Sequence, residues 1–240
     1  MPEYKPSMHQ LNTIQLFFSK WFEQIDINSY ERKIYEVKPI DNYFLEIGNF
    51  SIGYIESNNQ QKKYDGKYMI VWKIAIDKSL VVVSEIFGSN TYLGAVEVPY
   101  ANVEIKECES LPNNKISVKT RKEITEVNNA VIRSVVKGDS EARANRFSED
   151  AIYMPHFKSI LIGLPTIRSY MLETYSPEAK LYVTHTYGRM YDLGQFILVN
   201  GHFQGGWGDK ASGGEFEGNM LNLWKRTTEG ELKMYRQLAK

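Results

Sequence analysis

The sequence predicts an α+β protein in which one helix-and-antiparallel-sheet unit is written twice along 240 residues, the first copy incomplete. Three observations predict it. A shift of 153 positions (154 − 1) lays Met1-Pro2 on Met154-Pro155, Thr13-Ile14 on Thr166-Ile167 and Gly48-Asn49-Phe50 on Gly201-His202-Phe203, without a gap. After one residue is lost in the next loop, a shift of 152 (218 − 66) lays Gly66, Trp72-Lys73 and Leu80 on Gly218, Trp224-Lys225 and Leu232. Matches at glycine and tryptophan weigh most, because backbone freedom and a large buried ring are hard to replace. Finally, each copy reads as a helical period followed by four strand-like segments.

In the first copy, Leu11, Ile14, Phe17, Phe18, Trp21, Phe22 and Ile25 recur at three- and four-residue spacing, which predicts an amphipathic helix between Ser7 and Ile25. Lys33 to Val37 alternates, and Tyr43 to Ile55 is rich in aromatic and β-branched residues around Gly48 and Gly53. The polar run 57–63 is a hairpin loop. Tyr64 to Ile76 and Leu80 to Phe87 make two more strands, joined by a tight turn at Asp77-Lys78-Ser79. Periodicity weakens between Gly88 and Lys122. Ala95 to Cys108 reads as extended chain interrupted by Pro99, and the whole stretch as a linker.

The second copy begins with Ile124, Val127, Val131, Ile132 and Val135 on one helical stripe, closed by Gly138-Asp139. A short helix from Ser140 to Phe147 leads into a short strand ending at Met154-Pro155. Gly163 precedes a helix with Pro165 in its first turn. Strands at about 181–191, 195–207, 215–227 and 231–238 complete the copy. The expected domains are therefore 1–89, incomplete; 90–122, a linker with some extended structure; and 123–240, complete.

Composition narrows the function. Twenty-nine basic and 29 acidic side chains cancel, so no global field draws nucleic acid or an anionic membrane. A single cysteine, Cys108, excludes an intrachain disulfide and any multi-cysteine metal site. No apolar run approaches the roughly 18 residues that span a bilayer, and Met1 to Lys5 carries no signal pattern. A cytoplasmic protein is expected, although a leader removed upstream of Met1 would leave the same beginning. Gly205-Gly206-Trp207-Gly208 and Ser212-Gly213-Gly214 lack the strand–glycine–helix context of a phosphate-binding loop, and no cofactor is expected.

The run Asn128-Asn129-Ala130, Lys137-Gly138-Asp139, Arg146 to Tyr153, Gly163 and Thr166-Ile167 resembles the nuclear transport factor 2-like superfamily, in its SnoaL-like and ketosteroid-isomerase-like branch. The ending Gly201-His202-Phe203, Gly218, Leu223 to Arg226 and Gly230 to Lys233 is similar to the same family. The resemblance covers 123–240 and, through the repeat, 1–89. It implies cone-shaped, strongly curved antiparallel sheets, each packed on helices, with a pocket at the open end. It also implies association through the sheets, as a homodimer or as a pseudo-dimer of the two copies in one chain.

Ketosteroid isomerases of that branch use a carboxylate before the proline of the short strand, a tyrosine on the first helix and a protonated aspartate on a late strand. The matching positions here are Met154, Val131 and Asn222. A thioether takes no proton at neutral pH and valine donates nothing, so only Asn222 could still polarise a carbonyl. The counterpart of Asn222 in the first copy is Ile70, and that copy lacks the first helix, which points to a supporting role. The resemblance therefore implies a small-molecule binder, with Asn222, His202, Tyr153, Tyr187 and Trp207 as contacts in the second copy. The alternatives are a non-catalytic assembly module with filled pockets and a SnoaL-like acid–base enzyme acting on a cyclic substrate.

For acid–base work the first candidates are His185 and His156, since three of the four histidines fall in the second copy. Alternation along a strand lets each of these residues face either solvent or the interior. The histidine spacings match no metal-ligand pattern. Glu149-Asp150 reads as a helix-to-strand corner, and Asp139 as the cap of the short helix. The aromatic face Phe17-Phe18-Trp21-Phe22 reads as core, because a helix laid on a sheet needs one.

Overall fold

A computed structural model describes residues 2, 4–56, 58–104, 116–176, 178, 180–208 and 213–240. The chain divides into two compact units. The first comprises Met1–Leu111, His156–Ser159 and Lys240; the second comprises Pro112–Pro155 and Ile160–Ala239.

In the first unit, helix α1 (Leu11–Phe22) is followed by strands β1 (Ile25–Ile40), β2 (Tyr43–Glu56), β3 (Gln61–Ile74) and β4 (Leu80–Ser89). The four form one antiparallel sheet in the order β1-β2-β3-β4. The helix buries Phe17 and Trp21 and starts four residues later than its period predicts, at Leu11, after Gln10, whose side chain makes no cap. Residues 95–102 are turns rather than strand, and 105–108 lie outside the described residues. Val98, Tyr100 and Val103 from this segment are buried against Phe17, Trp21, Tyr64 and Phe87. Tyr100 meets the rings of Phe17 and Trp21 at 5.6 and 5.0 Å, and its hydroxyl lies 3.1 Å from that of Tyr64.

The second unit holds α2 (Val118–Val136), α3 (Ser140–Ala144), β5 (Phe147–Met154), β6 (Leu161–Ile162), α4 (Leu164–Thr174) and strands β7 (Tyr182–Leu193), β8 (Phe196–Trp207), β9 (Gly214–Arg226) and β10 (Leu232–Ala239). Its sheet runs β6-β5-β10-β9-β8-β7. One pair departs from the antiparallel expectation: β5 lies parallel to β10. Each helix start has its own device. Ser117 accepts a hydrogen bond from the Thr120 amide at 3.0 Å, Asp139 accepts from the Ala142 amide at 2.9 Å, and Gly163 turns into α4 at φ +80° ahead of Pro165.

The repeat holds to the level of register. Gly48 faces Tyr68 as Gly201 faces Met220, and Phe50 faces Gly66 as Phe203 faces Gly218. The irregularities coincide as well. Between Val71 and Trp72 the partner strand gains a residue, Val83; between Leu223 and Trp224 it gains Tyr235. A second bulge falls after Ile34 in β1 and after Tyr187 in β7, at the strand positions that face Gly48 and Gly201. A bulge bends its strand and sharpens the local twist, so these two irregularities bend both sheets at matching places; β1 has one more, between Ile27 and Ser29, without a counterpart in β7.

Both glycines stand where β1 or β7 bends across them. A Cβ on Gly48 would lie 2.4 Å from the Lys33 carbonyl oxygen, which is backbone and cannot move aside. On Gly201 it would first meet the flexible end of Met220, at 2.6 Å. Gly48→Ala is therefore expected to destabilise its unit by about 1–3 kcal/mol, and Gly201→Ala by less. Urea midpoints for the two variants check the order, and equal losses would contradict it.

Candidate functional site

The second unit encloses a cavity of about 360 Å³ between α2, α3 and the concave face of its sheet. Helix α2 presents Asn128, Val131 and Val135 to it, three positions along one helical face. From β7 come Val183 and His185, from β8 Phe203 and Trp207, and from β9 Phe216, Met220 and Asn222. Each set has the two-residue period of one sheet face. On β10 the bulge at Tyr235 changes the phase, so that Met234 and Gln237 both look inward although they lie an odd three positions apart.

A polar chain runs along one wall. Arg143 Nη2 donates to Gln237 Oε1 at 2.9 Å, Gln237 Nε2 donates to Asn222 Oδ1 at 2.9 Å, and Asn222 Nδ2 donates to the Met220 thioether at 3.4 Å. The last acceptor is weak. Arg143 is 4% exposed, its guanidinium lying 4.7 Å over the Phe147 ring. Among the described residues its Nε and Nη1 have no partner, nor do Asn128 Nδ2 and His185 Nδ1. Each such group costs about 1–3 kcal/mol when left unmade in a buried place. Among the described residues, none that lines the cavity is acidic.

Burial, reinforced by the nearby Arg143 charge, lowers the His185 pKa from 6.5 to about 4. The imidazole is therefore neutral at pH 7. Burial also holds Tyr153, whose side chain hydrogen-bonds Tyr175, well above the usual phenol range, so it stays protonated.

The structure brings Asn222, His185, Tyr153 and Trp207 together in this cavity, with Trp207 at 47% exposure. Tyr187 packs against the core below it, its ring 6.3 Å from that of His185 and its hydroxyl unpartnered. His202 points to the opposite sheet face, because its neighbour Phe203 takes the inner one. Its Nε2 lies 4.0 Å from Glu217. His156 falls outside the second unit, in the segment 156–159, with its ring stacked on Phe157 at 3.5 Å. Met154 and Val131 are buried. Among the described residues, no group of three or more His, Cys, Asp or Glu could hold a metal ion.

Two residues escape the sequence pattern. Arg143 sits between Ala142 and Ala144 in a five-residue helix, too short for a period to mark its buried face. Gln237 is hidden by the bulge, which shifts its parity. The small neighbours of Arg143 are the only local signal of a packed position.

The first unit keeps a cavity of about 340 Å³ at the equivalent places. Trp21, Arg32, Phe50, Tyr68, Ile70 and Glu85 line it where Thr174, His185, Phe203, Met220, Asn222 and Gln237 line the other. The copy expected to be mere support is thus hollow as well. Its arginine, however, is paired. Arg32 Nε donates to the Tyr68 hydroxyl at 2.8 Å, Tyr68 donates to Glu46 at 2.7 Å, and Arg32 bonds Glu46 directly. Trp72 Nε1 also donates to Glu46, at 3.2 Å. The position of Glu46 is held in the second copy by Val199, part of the core that α2 packs into.

Comparison with known proteins adds the following. No protein-family model matches the sequence, and no curated protein matches it. Several solved structures are similar to about half of the chain, the length of one copy. A ketosteroid isomerase-like protein from Erwinia carotovora atroseptica matches at 14% identity and a TM-score of 0.43, over 51% of this chain and 96% of its own. A nuclear transport factor 2-like superfamily protein from Salmonella enterica serovar Typhimurium matches at 13% and 0.45, over 52% and 92%. A protein from Catenulispora acidiphila, in complex with S-DNPA, matches at 12% and 0.44, over 51% and 93%. The likeness is one of fold. Among the described residues, no helix is long and apolar enough to cross a membrane.

The His185 environment has a consequence for stability. The unfolded chain takes up this proton near pH 6.5 and the folded protein only near 4. The stability it contributes is complete above pH 6.5 and is lost as pH falls towards 4, by about 3 kcal/mol in all. His185→Gln is expected to flatten the fall of the urea midpoint between these limits. Parallel pH profiles for wild type and variant would contradict the assignment.

Proposed function

We propose that the second copy binds a small, mostly apolar organic molecule in its cavity, with Asn222 as a polar contact. The observation that carries this reading is the open volume itself. About 360 Å³ lies within the range of small-molecule pockets, and it is bounded by Phe203, Trp207, Phe216, Met220 and Val131. A filled cone would have favoured an assembly module. Asn222 supports the reading because its amide N–H is engaged only by a thioether and can turn to a better acceptor.

Acid–base catalysis is the weaker reading on chemical grounds. Among the described residues no carboxylate lines the cavity, and His185, held neutral down to about pH 4, is a poor proton acceptor at pH 7. The lining donates hydrogen bonds; it has little with which to move a proton.

A fluorescent apolar probe, N-phenylnaphthylamine, tests the reading. The first copy's cavity is closed at its rim by an Ile27→Trp background, and the probe is expected to bind this protein. Val135→Trp in the same background fills the second cavity from α2 and is expected to weaken binding by about tenfold or more, near 1.4 kcal/mol. Equal binding by the two proteins would overturn the proposal.

A further inference from the structure

We infer that the molecule held in the second cavity is an organic anion, its acidic group matched to Arg143 and its apolar body set among Phe203, Phe216 and Trp207. This rests on the binding reading above and names the chemical class of the ligand.

The argument is one of charge. A guanidinium stays protonated in any protein environment, so Arg143 cannot shed its charge on burial as a lysine or histidine can. A buried charge is ordinarily paired. Arg143 is 4% exposed, and its one hydrogen-bond acceptor is the neutral amide of Gln237. Among the described residues its Nε and Nη1 are unpartnered, and none that lines the cavity is Asp or Glu.

The groups around it have the same bias. Asn128 Nδ2 is an unused donor, Asn222 Nδ2 donates only to sulfur, and Gln237 has already spent its oxygen on Arg143. Donors without acceptors, beside a cation without a counter-ion, fit a ligand that brings negatively charged oxygens. A carboxylate or sulfonate supplies them in the planar or forked geometry that a guanidinium meets best.

The first copy provides an internal comparison. There the cavity arginine, Arg32, is neutralised by Glu46 and Tyr68 from its own sheet. The same fold with a protein-supplied counter-ion has no need of an anionic guest. In the second copy His185 stands in the place of Arg32 and Val199 in that of Glu46, so the ion pair is not repeated; the cation of that cavity, Arg143, comes instead from α3.

The test uses two matched probes in the full-length Ile27→Trp background: anilinonaphthalene sulfonate and N-phenylnaphthylamine, which lacks the sulfonate. The sulfonate is expected to bind more tightly than its neutral twin. Arg143→Met should weaken the sulfonate by about tenfold or more and leave the neutral probe within about threefold. Gln237→Glu, which supplies an internal carboxylate, should abolish the preference for the sulfonate and raise the melting temperature. It carries the test if Arg143→Met fails to fold. If both probes bind the Ile27→Trp protein alike, or if Gln237→Glu leaves their ratio unchanged, the anion inference is overturned while the binding proposal stands. If neither probe binds, both fall.

Discussion

A β-bulge forces two residues to face one, and the strand that carries it must bend. Each unit of this protein has such bends at matching positions, opposite Gly48 and Trp72 in one copy and opposite Gly201 and Trp224 in the other. The bends make one face of each sheet concave, and a concave face cannot be filled by its own short side chains. Everything that distinguishes the two copies follows from what else is laid into the curve.

In the second copy α2 lies there, burying Ile124 and Val131 against Ile197, Val199 and Trp224. The helix covers the deep part of the concavity and leaves the rim hollow. In the first copy no such helix is present among the described residues. Tyr100 and its neighbours occupy part of the space, and the sheet compensates with polar bonds among Arg32, Glu46, Tyr68 and Trp72. Part of that surface remains wet, with Tyr30 59% and Ile34 52% exposed on β1. The same backbone thus carries a self-neutralised hollow in one copy and a cationic one in the other.

Much of the fold was legible because it rests on residues that tolerate no substitute. Gly48 and Gly201 mark close backbone approach at one bend; Trp72 and Trp224 mark the other. Four strands per copy could be read from alternation and turn chemistry, as could the capping role of Asp139. The parallel pairing of β5 with β10 was not legible, since nothing in a short apolar strand declares its partner. Nor was the packing of 98–103 onto α1, a contact between a turn-rich segment and a distant helix.

The site was legible only where regular alternation survived. Asn222, His185 and Trp207 lie on uninterrupted stretches of their strands, and their inward orientation follows from the period. His202 differs from them by one residue of phase and faces the other way. Gln237 lies beyond a bulge, and Arg143 on a helix with no full period, so the two residues that set the electrostatics of the cavity carried no pattern to find them by.

The central claim is that the second concavity is held open for a guest. The most direct measurement is an experimental electron-density map of the purified protein, read in the space between Asn222, Arg143 and Phe203. The account predicts a compact, non-protein feature there after soaking with an aromatic acid, with an anionic end against Arg143. Phe203, Phe216 and Trp207 folded inward to fill the space, with the arginine turned onto a carboxylate of the chain itself, would contradict it.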